Sequence, residues 1–173
     1  RIYPDILIDK VDSLDFDGET NWLKGEERIH PRPSFWDSNK VGMGPPPIKT
    51  MQGWLAIYQG IGFQDNGRYK IGAMLLDLKD PSKVLHRCTH PILEPETFYE
   101  NGGFKAGVVY PCGAVVIENT LIVYYGGSDT FLAVATADLD QFLDELMFDN
   151  SPHLDPVTLG ACVKLNAEIN KVI

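Results

Sequence analysis

The chain has 173 residues, of which 44% are hydrophobic, and sets 15 basic residues against 24 acidic ones for a formal charge of −9. That length is enough to bury one ordinary core, and an acidic surface repels nucleic acid and anionic membranes. No apolar run reaches the length of a membrane span, and no signal-peptide core opens the chain.

The first predicted element is a strand at Tyr3–Asp9, followed by an acidic, turn-rich stretch at Asp12–Glu19. Ser13–Gly18 hints at a calcium loop, but Lys24 stands where a bidentate glutamate is needed, so the stretch reads as a turn. Next, His30-Pro31 and Phe35-Trp36-Asp37 are echoed by His90-Pro91 and Phe98-Tyr99-Glu100, as if the chain crossed twice between equivalent units. The unit following the first crossover predicts four strands, Pro46–Thr50, Trp54–Gln59, Arg68–Leu78 and Val84–Thr89. The next unit repeats three of them at Gly113–Glu118, Leu121–Tyr125 and Phe131–Thr136.

A gapless alignment of the two units sets Leu55 on Leu121, Ile57 on Val123, Tyr58 on Tyr124 and Gly60 on Gly126. Short strands repeated at such a period indicate stacked sheets, hence an all-β propeller with about two and a half blades of four-stranded antiparallel sheet. Leu139–Met147 carries a helical apolar stripe, and Val157–Lys171 is a second helical candidate behind Asp155-Pro156, giving a short C-terminal helical tail. So few blades should leave apolar sheet faces open to water, with Ile6, Ile8 and Leu23 of the truncated blade on them.

Cys88, Cys112 and Cys162 are odd in number and widely spaced, and no Asn-x-Ser/Thr acceptor occurs. Both features fit free thiols and a cytoplasmic location. His30, His86, His90 and His153 show no metal-binding spacing, so no metal site is expected.

The run FWDSNKVGMGPPPIKTMQGWLAIYQG from Phe35, then YKIGAMLLDLKDP, VVYPCGAVV and LIVYYGGSDTFLAVATADL, resembles the C-terminal half of glycoside hydrolase family 130. The resemblance covers about Phe35 to Phe142; it implies a five-bladed propeller with its active site in the central well, formed by β-mannoside phosphorylases and related hydrolases. It further implies inverting phosphorolysis of a β-mannoside oligosaccharide to mannose 1-phosphate, with inorganic phosphate as co-substrate and no cofactor. A lysine beside a glycine-rich turn suits an oxyanion, and the family places a phosphate-binding lysine at Lys40. By the same resemblance Asp129 binds sugar hydroxyls and Tyr69 contacts ligand.

Gln59 stands where relatives commonly carry histidine; it is counted with the substrate-binding residues but brings no charge. Gly107 replaces a usual asparagine. The family's catalytic aspartate and phosphate-binding arginines belong to the N-terminal half, so the catalytic residue is unknown from this chain and a missing N-terminal half, or a homo-oligomer, is expected. Two alternatives stand beside this reading. One is an inverting mannoside hydrolase with Glu96 or Glu100 as base; the other is a non-catalytic carbohydrate-binding propeller. Under the leading reading Lys40, Tyr69 and Asp129 must converge on one concave surface.

Overall fold

The computed structural model describes residues 4–8, 27–65, 67–149 and 151–157. The acidic turn at 12–19, Leu23, Cys162 and the helical candidate beyond Val157 lie outside the described residues.

Strand β1 (Ile6–Ile8) pairs antiparallel with β2 (Glu27–Ile29) as a separate two-stranded piece. The next sheet contains β3 (Lys40–Met43), β4 (Ile48–Lys49), β5 (Trp54–Ile61), β6 (Lys70–Leu76) and β7 (Val84–Arg87). Both β3 and β4 pair with β5, at Lys40↔Ile61 to Met43↔Tyr58 and at Ile48↔Leu55. They are one edge strand broken by the prolines at 45–47, which cannot donate to the ladder. Lys40 therefore starts a strand, where the glycine and proline content had suggested a loop.

The last sheet runs β8 (Val109–Ile117), β9 (Thr120–Gly127), β10 (Phe131–Asp138) and β11 (Asp155–Pro156), all antiparallel. Asp155-Pro156 thus forms an outer strand on β10. Helix α1 (Phe98–Asn101) sits in the second crossover, and α2 (Leu139–Phe148) follows β10. Asp138 caps α2 by accepting from the Gln141 amide at 3.0 Å, and Phe142, Leu143 and Leu146 bury its apolar stripe.

Burial separates the two sheets. Every residue of β5 from Leu55 onward and every residue of β6 is buried, as in a strand covered on both faces. The last sheet alternates instead. Leu121, Val123, Tyr125 and Ala135 face the core, while Val115, Ile117, Tyr124 and Leu132 are 38–75% exposed. The register sets Val115 beside Ile122 and Tyr124 beside Val134; Ile122 is itself buried, so the open apolar positions are interrupted there. An open apolar face was expected, but nearer the start of the chain. Ile6 is buried there, and Ile8 packs against the core.

The two units share a buried clasp. In the first, Asp37 is fully buried and accepts from Arg32 Nε and Nη2 (3.1 and 3.0 Å), Arg87 Nη2 (2.6 Å) and the Tyr58 hydroxyl (2.8 Å). In the second, Glu100 accepts from the Tyr125 hydroxyl (2.7 Å) and from the amides of Glu96 and Thr97 (both 2.8 Å). Two residues beyond each tyrosine lies a glycine against which the crossover packs. A Cβ on Gly60 would meet the Trp36 ring and Asp37, and one on Gly127 would meet Tyr99 and Glu100. Tyr58 therefore corresponds to Tyr125, and Gly60 to Gly127. The gapless alignment that put Tyr58 on Tyr124 is one residue out, and a slip of one turns a strand's side chains to the other face.

Burial raises the pKa of both clasp tyrosines, so each holds its proton to a higher pH. For Tyr58 the Cys88 and Asp37 charges add to this rise and Arg87 opposes it; for Tyr125 the Tyr99 and Glu100 hydrogen bonds add to it. A tyrosine ionises near pH 10 once unfolded, so above about that pH the unfolded chain releases protons that the folded one keeps. Stability is thus fully present below about pH 10 and falls as pH rises further. Thermal melts in alkaline buffer should show this fall, and a Tyr125→Phe variant should show a shallower one. Equal slopes would remove Tyr125 from the account.

Candidate functional site

The seam between the two sheets is closed by backbone contacts. The Tyr69 amide donates to the Gly107 carbonyl (3.0 Å), and the Val109 amide donates to the Tyr69 carbonyl (3.2 Å). Tyr69 and Val108 thus form a parallel bridge between the entry to β6 and the entry to β8. Around this bridge, side chains from both sheets gather.

From the first sheet come Lys40, Gln59 and Tyr69. Lys40 starts β3, and its Nζ lies 5.9 Å from the centre of the Tyr69 ring. Gln59 is nearly buried in β5. With its amide nitrogen toward the carbonyls of Gly42 (2.9 Å) and Met43 (3.2 Å), its oxygen faces the Tyr110 hydroxyl at 3.3 Å. Both amide hydrogens are then spent inside the sheet, so Gln59 holds Tyr110 in place rather than offering a free donor. From the second sheet come Tyr110, whose ring centre is 6.2 Å from that of Tyr69, and Lys105, whose Nζ is 4.3 Å from the Tyr69 ring centre.

Asp129 stands in a turn tied to the loop that carries Lys105. Ser128 and Asp129 both have a φ of 52°, and the Thr130 amide donates to the Gly127 carbonyl (3.0 Å). These are the central residues of a tight hairpin turn whose left-handed backbone suits the strand twist. The sharp reversal is therefore made by Ser128-Asp129, while Gly126 and Gly127 remain in β9. The Lys105 amide donates to the Ser128 carbonyl (3.0 Å), which ties this turn to the loop carrying Lys105. Asp129 is exposed and makes no hydrogen bond or ion pair among the described residues.

Lys40, Gln59 and Tyr69 are thus brought together, while Asp129 is linked to them only through the backbone bond between its turn and the Lys105 loop. Lys105 and Tyr110 were not singled out from sequence, although the segment KAGVVYP holds both. Their signal was topological: the start of one repeat unit lies against the third strand of the unit before it. Glu100 is unsuited to act as a base, because it is 1% exposed and its carboxylate is taken up by the clasp. A hollow of about 100 Å³ lined by Leu93, Glu94, Glu96, Thr97, Glu100 and His153 includes none of the cluster's side chains. Its glutamates make it unfit for an anion. Among the described residues no group of His, Cys, Asp and Glu could hold a metal ion.

The chain is 46% identical over 139 residues to a 1,2-beta-oligomannan phosphorylase of Thermoanaerobacter sp., covering 80% of this chain and 45% of that protein. It is 34% identical over 145 residues to the beta-1,4-mannooligosaccharide phosphorylase of Ruminococcus albus, covering 82% and 42% respectively. The chain therefore spans less than half the length of these curated relatives. A solved complex of beta-1,2-mannobiose phosphorylase from Listeria innocua with beta-1,2-mannobiose superposes with a TM-score of 0.64 at 44% identity, covering 69% of this chain and 33% of that one. The solved relatives are five-bladed β-propellers, and the two sheets here are blades of that fold. The model for glycoside hydrolase family 130, described as beta-1,4-mannooligosaccharide phosphorylase, matches residues 11–147. Sheets, motifs and relatives agree, and the chain belongs to glycoside hydrolase family 130.

Proposed function

We propose that the chain supplies the phosphate- and sugar-binding part of an inverting β-mannoside phosphorylase. The supporting observation is the convergence at one seam of Lys40, Gln59 and Tyr69, which are scattered in sequence. In this reading Lys40 binds phosphate as a point charge, while Tyr69 and Asp129 contact the sugar. Gln59 acts indirectly, by fixing Tyr110 at the edge of the site. Phosphate attacks the anomeric carbon as the glycosidic C–O bond breaks, giving mannose 1-phosphate, and the departing oxygen takes its proton from a carboxylic acid. No residue of this chain is assigned as that acid. Neither a cofactor nor a metal is invoked. The free thiols Cys88 and Cys112 support a cytoplasmic setting, and no helix among the described residues is long and apolar enough to cross a membrane.

The test uses the full-length protein with β-1,2- and β-1,4-linked mannobiose, each with and without inorganic phosphate. Mannose 1-phosphate should form only when phosphate is present, and the better substrate reports the linkage. Equal cleavage to free mannose without phosphate would instead support hydrolysis. One observation favours that second reading: Gln59 brings no charge and turns its amide inward. A further solved family structure, 28% identical with a TM-score of 0.58, comes from work describing glycoside hydrolases of the family that target beta-1,2 mannosidic linkages.

A further inference from the structure

We infer that Lys105 is a second cationic contact for a phosphate group at this seam, acting with Lys40 across the Tyr69 ring; the inference rests on the phosphorylase reading. Both ammonium groups converge on the one ring, at 5.9 Å for Lys40 and 4.3 Å for Lys105. They come from different blades, so strand pairing alone does not require them to meet. Neither has a carboxylate within ion-pair distance among the described residues. The adjacent lysine behaves differently: Lys70 is neutralised by Asp65 (2.6 Å) and Glu94 (3.2 Å). Lys49, Lys79 and Lys83 also lack an ion pair among the described residues, so what distinguishes Lys40 and Lys105 is that both ammonium groups face one ring. A dianion within reach of both ammonium groups gains attraction from each.

The loop carrying Lys105 is fastened at several points. The amides of Phe104 and Lys105 donate to Thr130 Oγ1 (2.9 Å) and to the Ser128 carbonyl (3.0 Å), and the Gly107 amide donates to the Glu100 carbonyl (3.0 Å). Gly107 makes the turn back toward β8 with a φ of +78°, where an added Cβ would also press on the Arg68 side chain. Ordering the loop beforehand lowers the entropy lost when its lysine engages a ligand. The ligand class is a phosphate dianion, either inorganic phosphate or the phosphate group of a sugar 1-phosphate. An ammonium is the fitting partner because it meets such a group as a point charge from any direction.

Lys105→Met and Lys105→Arg in the full-length protein test this. The methionine keeps most of the apolar stem over Tyr69 and removes the charge, while the arginine restores it. The KM for inorganic phosphate should rise about tenfold in Lys105→Met, with kcat and the KM for mannobiose within about twofold. Lys105→Arg should recover most of the loss. The reverse reaction gives the second arm: the KM for mannose 1-phosphate should rise alongside, and a rise in one direction alone assigns the contact to that ligand. An unchanged KM for both phosphate ligands, or an equal rise in the KM for mannobiose, would overturn the inference. Should the protein cleave mannobiose without phosphate, the phosphorylase reading fails by itself. Titration calorimetry with inorganic phosphate then decides on Lys105: binding weakened in Lys105→Met and recovered in Lys105→Arg upholds it, and binding that is absent or equal in all forms overturns it.

Discussion

Replacing Asp37 with alanine is expected to cost about 3–5 kcal/mol of folding stability, because it strands two arginines on a buried site. The carboxylate is fully buried and answers Arg32, Arg87 and the Tyr58 hydroxyl together. Arg87 also donates to the His30 carbonyl (2.9 Å), and Arg32 to the Cys88 carbonyl (2.8 Å), so the cluster ties the crossover to the outer strand of its sheet. Asp37→Asn keeps the shape and one acceptor oxygen, and should lose less. Urea unfolding of the intact protein would measure both. A loss below about 1 kcal/mol for the alanine form, the range of a surface ion pair, would show that the cluster holds little together.

The second large effect concerns Lys40. In the full-length enzyme Lys40→Met should lower kcat/KM for phosphate by about 10²- to 10³-fold, as expected for removing a group that stabilises charge at the reacting centre. The loss should exceed that at Lys105, because Lys40 lies in a paired strand beside Ile61 and is less exposed than the loop lysine. Steady-state kinetics at varied phosphate would show it. A fall confined to the KM for mannobiose would move Lys40 from the phosphate to the sugar.

The repeat was legible because each strand of the two units carries an apolar, β-branched or aromatic run bounded by Gly, Asn or Pro. β5, β6, β9, β10 and α2 lie where that pattern places them. The register was less legible. Tyr124-Tyr125 and Gly126-Gly127 offer two nearly equal alignments, and only the partners of the clasp distinguish them. The strand β3 was hidden by its glycines, and β11 by its proline and its two-residue length. At the site, Lys40, Gln59, Tyr69 and Asp129 could be named from motifs. Lys105 and Tyr110 could not, since their relevance depends on which strand of one blade abuts which loop of the next. The open apolar face was foreseen as a necessity of an unfinished ring, but its address was not, because burial at Ile6 depends on tertiary packing.

The paired clasps also bear on how these blades can diverge. Each copy brings its own carboxylate in the crossover and its own tyrosine in the following sheet, so a duplicated unit arrives already able to fasten itself. The two copies use different chemistries. The shorter Asp37 is met by two guanidinium groups that reach in, whereas the longer Glu100 reaches out to backbone amides and needs no cation. Exchanging the acids alone would crowd one site and leave the other short of its partners. Substitution at each clasp is therefore coupled: the acid and the groups that answer it must change together.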